Sequence, residues 1–157
     1  MTSSRTLIVY ASKMGASAQS AQEIAEVLRK EYGILVDIVD LRAASKPDIG
    51  KYGNIIIGSG VRMGKIYSDF LNFVENDFSG KRIVIYISSA ESAEPGKREE
   101  AIKKYVLDNL TNFPNLKPIA IEAFGGKLNF LGMTLWNNYD KKKVGEWAKE
   151  IGKKLIG

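Results

Sequence analysis

The sequence contains neither cysteine nor histidine among its 157 residues. Without thiols the chain forms no disulfides, thiolate nucleophiles or cysteine-ligated iron–sulfur clusters. Without imidazole it has no histidine-ligated haem and no Ser-His-Asp triad, and the usual zinc sites are excluded as well. Any demanding chemistry must therefore come from carboxylates, hydroxyls, lysines or an organic cofactor.

Long apolar runs are absent too. No segment approaches the ~20 consecutive apolar residues that span a bilayer. The first residues, MTSSRTLIVYA, contain an apolar run too short for a signal peptide and carry the β-branched pattern of a first strand. We expect a soluble, cytoplasmic protein that folds as one domain over residues 1–157.

The net charge of +5 is unevenly distributed, since eight basic and four acidic residues lie from position 117 onward. Most of them belong to the final segment DKKKVGEWAKEIGKKL. The simplest interpretation is the solvated face of a terminal helix, and the alternative is a weak contact with an acidic partner or a membrane surface. No nucleic-acid motif accompanies these charges, so nucleic acid is not an expected partner.

Five short β-rich runs alternate with helical patterns along the chain. The runs are TLIVYA, LVDIVDL, NIIIG, RIVIYIS and PIAIEAF, and the helical patterns cover residues 17–32, 68–77, 95–110 and 144–155. Continuously apolar strands are typical of a parallel sheet that is buried on both faces. We predict an α/β fold, a doubly wound sandwich with a five-stranded parallel sheet of order 2-1-3-4-5 and helices on both faces. Its ligand crevice would lie at the carboxyl ends of strands one and three.

The loop SKMGAS follows the first strand and opens the first helix. Gly15 would let the backbone approach an anion, Ser12 and Ser17 offer hydroxyls, and Lys13 adds a charge. The structural alternative is that Ser17 only caps the helix and Gly15 only turns the chain. The pattern G-x-x-x-x-G-K-[ST] is absent, so nucleotide hydrolysis is not supported.

The loop GSGVRMG follows the third strand and is similar to a dinucleotide-binding turn. However, it follows the wrong strand, and its third glycine comes one residue late. We interpret residues 59–64 as a wall that leaves room for a planar ring. The alternative is that Gly58 and Gly60 only let the chain leave a crowded sheet end.

The loop SSAESAEPG follows the fourth strand. Its Ser88 and Ser89 could donate hydrogen bonds to the edge of such a ring, whereas Glu91 is expected to be solvated. A response-regulator receiver, which shares this topology, needs an acidic pair after strand one and an aspartate at the end of strand three. Those places hold Tyr10-Ala11-Ser12 and Gly58-Ser59, so that class is excluded.

Together these loops resemble the flavodoxin family, whose phosphate loop reads T/S-x-T-G-x-T, and the resemblance covers essentially the whole chain. One branch, the flavodoxin-like menaquinone-dependent protoporphyrinogen dehydrogenases, fits more closely from the third strand onward. The matching residues are Ile57, Gly58, Val61, Arg62, Gly64, Ser68, Phe70, Phe73 and Val74. The final helix VGEWAKEI and the segment FGGKLNF also resemble that branch.

The resemblance implies FMN as the cofactor and assigns the three loops to its parts. The phosphate would be held by Ser12, Lys13, Met14, Gly15, Ala16 and Ser17. One side of the isoalloxazine ring would be lined by Ser59, Gly60, Val61, Arg62, Met63 and Gly64. The pyrimidine edge would meet Ser88, Ser89, Ala90 and Glu91. No residue is given a catalytic acid–base role, and no metal is expected.

Two residues depart from the flavodoxin pattern. Met14 stands where the family has a hydroxyl, which removes one phosphate contact. Arg62 stands where flavodoxins often stack an aromatic side chain. A guanidinium can itself stack on a ring, and its charge would favour the anionic reduced flavin and raise the potential.

The segment GGKLNFLGMTLWNNYD, before the last helix, is shorter than its counterpart in the dehydrogenases. Its apolar residues would pack on the core as a lid or form a docking surface beside the flavin. The implied function is electron transfer between redox partner proteins. The alternatives are a flavin-dependent dehydrogenase that feeds a quinone and an interaction module without flavin.

Overall fold

The computed structural model describes residues 5–13, 15–130 and 133–156, and for residues 127–130 and 133–136 it describes the backbone. Its strands are β1 (Thr6–Ala11), β2 (Val36–Asp40), β3 (Asn54–Arg62), β4 (Lys65–Ile66), β5 (Arg82–Ser89), β6 (Ala120–Gly125), β7 (Lys127–Phe130) and β8 (Met133–Asn137). Its helices are α1 (Ala16–Tyr32), α2 (Ser68–Phe73), α3 (Arg98–Ile102), α4 (Asp108–Leu110) and α5 (Lys141–Leu155). A π-helical turn (Lys103–Leu107) joins α3 to α4.

The parallel strands lie in the order β2-β1-β3-β5-β6. These are the five predicted strands in the predicted order, because β4 is a short antiparallel addition to β3. In a parallel sheet with helical crossovers, helices pack on both faces. The apolar side chains of the strands are buried beneath these helices. The predicted doubly wound sandwich is confirmed.

The two faces of the sheet have separate cores. On one face α1 and α5 bury Ile24, Leu28 and Trp147 against Ile56 and neighbouring side chains. On the other face, helix α2 and the π-helical turn pack a second cluster against the sheet. That cluster includes Phe70, Phe73, Tyr105, Leu7, Val9, Ile55, Ile57 and Ile85. Apolar residues alternate between the clusters along each strand, since successive side chains point to opposite faces.

Helix α1 begins and ends at glycines. Gly15 (φ 90°) precedes its first residue and Gly33 (φ 62°) follows its last. The N–H of Gly33 donates to Arg29 O and that of Ile34 to Leu28 O, both at 3.2 Å. This is a left-handed C-terminal cap, a conformation that glycine adopts readily.

Helix α5 ends at the amino edge of the sheet. The carbonyl of Leu155 accepts a hydrogen bond from Nδ2 of Asn54 at 3.2 Å, at the first residue of β3. The side chains of Lys153 and Lys154 are exposed there. Further along, Lys141 and Lys149 lie 3.8 Å and 3.6 Å from Glu23 and Glu31 of α1. The basic helix is thus amphipathic, with a buried stripe and a charged outer face.

The sequence boundaries differ from the structure in several places. The third strand continues to Arg62 rather than ending at Gly58, since its pairing with β5 extends to Gly60↔Ser88. The segment expected as a loop before the last helix contains the β7–β8 hairpin. The second helix ends at Phe73, and the helix predicted over 95–110 begins at Arg98 and includes the π-helical turn.

Candidate functional site

The carboxyl edge of the sheet brings the three predicted loops together. Ala11, the last residue of β1, pairs with Ser59 of β3. The next residue of β3, Gly60, pairs with Ser88 near the end of β5. The predicted crevice between strands one and three therefore lies beside both neighbouring loops.

The loop after β1 turns directly into α1. Oγ of Ser12, which is almost fully buried, accepts a hydrogen bond from the N–H of Gly15 at 3.1 Å. Helix geometry leaves the amide groups of Ala16 and Ser17, the first two helical residues, without an intrahelical acceptor. The positive end of the helix dipole adds to them. These amides suit a phosphate group, whereas Met14 lies outside the described residues.

Ser17 does not cap the helix, in contrast to the structural alternative. Its hydroxyl donates to Oγ of Ser88 at 3.1 Å, and both side chains are buried. This hydrogen bond ties the loop after β1 to the loop after β5. Ser89 begins a tight turn, since its Oγ accepts the N–H of Ser92 at 3.2 Å.

The predicted ring wall, residues 59–64, is a β-hairpin rather than a loop. Arg62 pairs across the hairpin with Lys65, which leaves Met63 and Gly64 as a two-residue turn. Both turn residues have positive φ, 52° for Met63 and 75° for Gly64, as a type I′ turn requires. The Met63 side chain is 92% exposed, and Arg62 and Lys65 are exposed beside it.

Gly58 and Gly60 are both places where the chain passes close to an aromatic side chain. A Cβ at Gly58 would lie 2.1 Å from Cζ of Tyr86, so only glycine fits. A Cβ at Gly60 would lie 3.1 Å from Cε2 of Tyr67 and 3.7 Å from Oγ of Ser12. Gly58 therefore serves the packing of the sheet within β3, which continues past it to Arg62 rather than leaving the sheet, and Gly60 lies at the crevice.

Tyr86 links the core to the start of α1. Its buried hydroxyl donates to the carbonyl of Ser17 at 2.8 Å. Burial raises the pKa of Tyr86 well above its usual value, with smaller contributions from Tyr10 and Tyr139. The phenol therefore stays protonated and keeps donating to the first turn of α1, which holds that turn in place against the sheet.

Tyr67 is a residue of the site that the sequence did not predict. Its hydroxyl accepts the backbone N–H of Lys13 at 3.1 Å, and its N–H lies 3.4 Å from Oγ of Ser59. Its ring therefore lies between the loop after β1 and the strand that holds Gly60. The hairpin turn reverses the chain and carries Tyr67 back to the crevice, and a two-residue β4 gives too little pattern to predict that reversal.

Arg42 is the second unpredicted residue. Its Nη1 donates to the carbonyl of Ser12 at 3.0 Å. Its backbone N–H donates to Oδ1 of Asp40 at 2.9 Å. The predicted strand order offered a signal, because β2 neighbours β1 and the residues after both strands lie at one edge.

Glu91, which the sequence predicts to be solvated, has a 44% exposed side chain and also accepts a hydrogen bond. Its Oε1 accepts the hydroxyl of Tyr105 at 2.8 Å and lies 3.7 Å from Nζ of Lys104. Tyr105 belongs to the π-helical turn, so this turn supports the loop after β5 from outside. Ala90, the residue before Glu91, is exposed at the same loop.

A doubly wound sheet of this order, with an amide-rich turn between β1 and α1, defines the flavodoxin-like class of α/β proteins. A model of the flavodoxin domain family matches residues 7–152. The chain therefore belongs to the flavodoxin domain family, as its sequence motifs had predicted.

Among curated proteins, the chain is similar to protoporphyrinogen IX dehydrogenase [quinone] of Escherichia coli strain K12. The two are 26% identical over 129 residues, which cover 80% of this chain and 70% of the relative. This similarity agrees with the branch indicated by the pattern from Ile57 to Val74.

Solved structures of flavodoxins have the same fold. Oxidised flavodoxin 1 from Bacillus cereus superposes with a TM-score of 0.64 at 19% identity, covering 98% of this chain and 99% of that one. The Fusobacterium nucleatum flavodoxin bound to flavin mononucleotide gives a TM-score of 0.62 at 17% identity, with coverages of 96% and 98%. Within the described residues of this chain, no helix is long and apolar enough to cross a membrane.

Proposed function

We propose that the chain binds one FMN at the carboxyl edge of the sheet and carries electrons between redox partner proteins in the cytoplasm. The observation that carries this proposal is the convergence at one edge of the α1 N-terminus, Gly60 and the Ser88 loop. FMN supplies the redox chemistry, and the protein positions it and sets its electrostatic surroundings.

The residues at this edge fit the cofactor. The phosphate would meet the amides of Ala16 and Ser17, with Lys13 and Arg42 supplying positive charge nearby. The missing side chain at Gly60 leaves space next to Oγ of Ser12, where a side chain would fill the crevice. Ser88 and Ser89 would hydrogen bond to the ring edge.

A reconstitution experiment tests the proposal. The purified protein is incubated with FMN and filtered, and we expect a flavin absorption spectrum with one FMN retained per chain. The matched variants Gly15→Asp and Gly15→Asn carry the same backbone strain at φ 90°, and only the aspartate repels phosphate. We expect Gly15→Asp to lose FMN while Gly15→Asn retains most of it. Equal FMN affinity in both would overturn the assignment of the phosphate loop.

A second candidate function follows from the similarity to the curated dehydrogenase. In that case the same flavin site would oxidise a porphyrinogen and pass the electrons to a quinone. Exposure beside the flavin of the apolar residues of the segment before the last helix would favour the dehydrogenase, and packing on the core would favour the carrier. The side chains concerned lie outside the described residues: Leu128, Phe130, Leu131, Met133, Leu135 and Trp136. Turnover of protoporphyrinogen IX with a soluble menaquinone analogue would favour the dehydrogenase, and its absence in FMN-loaded protein would favour the carrier.

A further inference from the structure

The hairpin beside the crevice carries positive charge that its own structure does not neutralise. Arg62 and Lys65 are directly opposite each other across the two strands. Like charges in such a cross-strand pair destabilise the sheet. Neither residue forms an ion pair with any side chain in the described ranges. The two adjacent cations therefore do not stabilise the hairpin, but they could bind a negatively charged group from outside the chain.

Two more cations come to the same edge from neighbouring loops. Arg42 reaches the carbonyl of Ser12, and the backbone of Lys13 is tied to Tyr67, which follows the hairpin directly. Both side chains are exposed, and within the described residues neither has an ion-pair partner. We name Lys13, Arg42, Arg62 and Lys65 the cationic rim.

Carboxylates offset only part of this charge. Asp40 accepts the backbone N–H of Arg42, and Asp69 lies in the first turn of α2. Two carboxylates beside four cations leave a net positive edge before FMN binds. With a phosphate beside Lys13 and Arg42, the charges of Arg62 and Lys65 are the ones left to face a partner. In the loop after β5, Glu91 is engaged with Tyr105, whereas Glu94 is exposed and adds one carboxylate on that side of the edge.

An exposed apolar side chain stands between the charges. Met63 occupies the left-handed region (φ 52°), which is uncommon for residues other than glycine, and it is 92% exposed. The two-residue turn thus projects a flexible thioether side chain away from the fold. An apolar centre with a charged border is the usual anatomy of a protein–protein interface.

We propose that the cationic rim and Met63 form the docking surface for an acidic redox protein, which is held beside the flavin edge by charge complementarity. This inference rests on the proposed electron-transfer function and adds that the partner's docking surface is negatively charged. Charges at an interface border mainly increase the association rate, so the complex would form quickly and weaken with salt.

Two probes with the same redox centre and opposite charge test the inference. One is a lysine-rich cytochrome c, and the other is the same cytochrome with its lysines succinylated. Dissociation constants are measured by titration calorimetry at several salt concentrations, with and without bound FMN. We expect the succinylated form to bind at least about tenfold more tightly at low salt, and this difference to vanish as salt is added.

Matched charge reversals locate the binding surface. Lys65→Glu lies in the rim but outside the predicted FMN contacts, and Lys153→Glu makes the same change at the opposite edge of the sheet. We expect Lys65→Glu to weaken binding of the succinylated cytochrome about fivefold, and Lys153→Glu to leave it nearly unchanged. Met63→Asn keeps the left-handed turn, because asparagine tolerates it, and should weaken binding without changing the salt dependence.

Electron transfer provides a second readout in the FMN-loaded protein. Two ferric haems each accept one electron from one reduced FMN, which releases its proton to solvent. We expect the electron-transfer rate to be higher with the succinylated cytochrome than with the unmodified one. We also expect it to fall in the variants that bind the succinylated cytochrome more weakly. Loss of electron transfer with unchanged binding would refute the proposed function and leave the docking surface intact.

Three results would overturn the docking proposal. The first is equal or tighter binding of the unmodified, basic cytochrome. The second is an equal loss of affinity in Lys65→Glu and Lys153→Glu, which would show an effect of net charge alone. The third is tight, Lys65-dependent binding to phosphatidylserine vesicles without discrimination between the cytochromes, which would assign the rim to a membrane surface.

Discussion

The hydroxyl of Tyr67 accepts a hydrogen bond from the backbone N–H of Lys13 at 3.1 Å. This bond joins the turn that follows β4 to the loop between β1 and α1. The amide of Lys13 belongs to the group that the family resemblance assigns to the FMN phosphate. A phosphate that used this amide would have to compete with the phenol.

We predict that Tyr67→Phe binds FMN more tightly, by up to about fivefold. In this variant the amide of Lys13 no longer has to give up its hydrogen bond to the phenol before it binds the phosphate. Quenching of FMN fluorescence on titration with apoprotein measures the affinity. Tyr52→Phe is the matched control, since it removes a phenol from the amino side of the sheet. Weaker FMN binding in Tyr67→Phe would show instead that the phenol contacts the cofactor directly.

The charge of Arg62 should control the flavin potential. We predict that Arg62→Ala lowers the midpoint potential of bound FMN, because a cation near the ring favours the anionic reduced form. Arg62→Lys retains the charge and should keep most of the potential. Spectroelectrochemical titration of the loaded protein measures all three values. A midpoint that rises or stays fixed in Arg62→Ala would remove Arg62 from this role.

Gly58 should be intolerant of any side chain. A methyl group there would lie 2.1 Å from Cζ of Tyr86, in a fully buried layer. We predict that Gly58→Ala lowers the free energy of unfolding by about 3 kcal/mol, measured by urea denaturation. Gly80→Ala has a strained φ of 77° but open space around it and should cost about 1 kcal/mol.

The origin of that effect can be isolated with Tyr86→Leu, which shortens the side chain that a methyl group at Gly58 would strike. We expect the double variant to be less destabilised than the sum of the two single changes. Additive losses would mean that the strand, and not the contact with Tyr86, rejects the methyl group.

Stability at high pH should depend on Tyr52. Its hydroxyl donates to Oδ2 of Asp37 at 2.6 Å. Burial first, and Asp37 second, raise the pKa of Tyr52 from 10.0 to about 12. Because the folded state favours the neutral phenol, the resulting stabilisation is fully present below the ordinary pKa and is lost as pH rises through about 12.

Tyr52→Phe tests this by urea denaturation at a series of pH values. We expect the difference in unfolding free energy between the two proteins to be constant near neutrality and to shrink above pH 10 or so. It should also shrink in acid, because hydrogen bonding by Tyr52 lowers the pKa of Asp37 and that stabilisation is lost as the carboxylate protonates. A difference that is independent of pH would contradict both assignments.

The sequence predicted the parallel sheet well because β1, β3 and β5 contain continuous apolar runs, while β2 and β6 are β-branched or apolar runs interrupted by single carboxylates. It could not predict the length of β3, since Ser59 and Gly60 have the composition of a loop and are extended through their pairing with neighbouring strands. The packing role of Gly58 could not be predicted either, because Tyr86, which it contacts, lies 28 positions away in the chain. Contacts between distant segments, such as Tyr67 with Lys13, leave no local pattern.

The site was predicted to the extent that topology fixes it. Loops after neighbouring parallel strands must meet at one edge, and Ser12, Ser59 and Ser88 lie at one edge as the strand order predicts. The conformation within each loop depends on individual hydrogen bonds, such as that between Ser17 and Ser88. Residue propensities at the start of α1 do not tell whether the hydroxyl of Ser17 caps the helix or bonds to Ser88.

The π-helical turn at Lys103–Leu107 makes the chain sensitive to the exact number of residues it contains. Such a turn holds one residue more than a regular helix. Deleting a single residue there would let the helix wind regularly with its two flanks in their present phase, while the residues inside the turn would shift around the helix axis. Tyr105 could then no longer both pack in the core and reach Glu91, so the length of this helix acts as a spacer that sets the position of a distant loop.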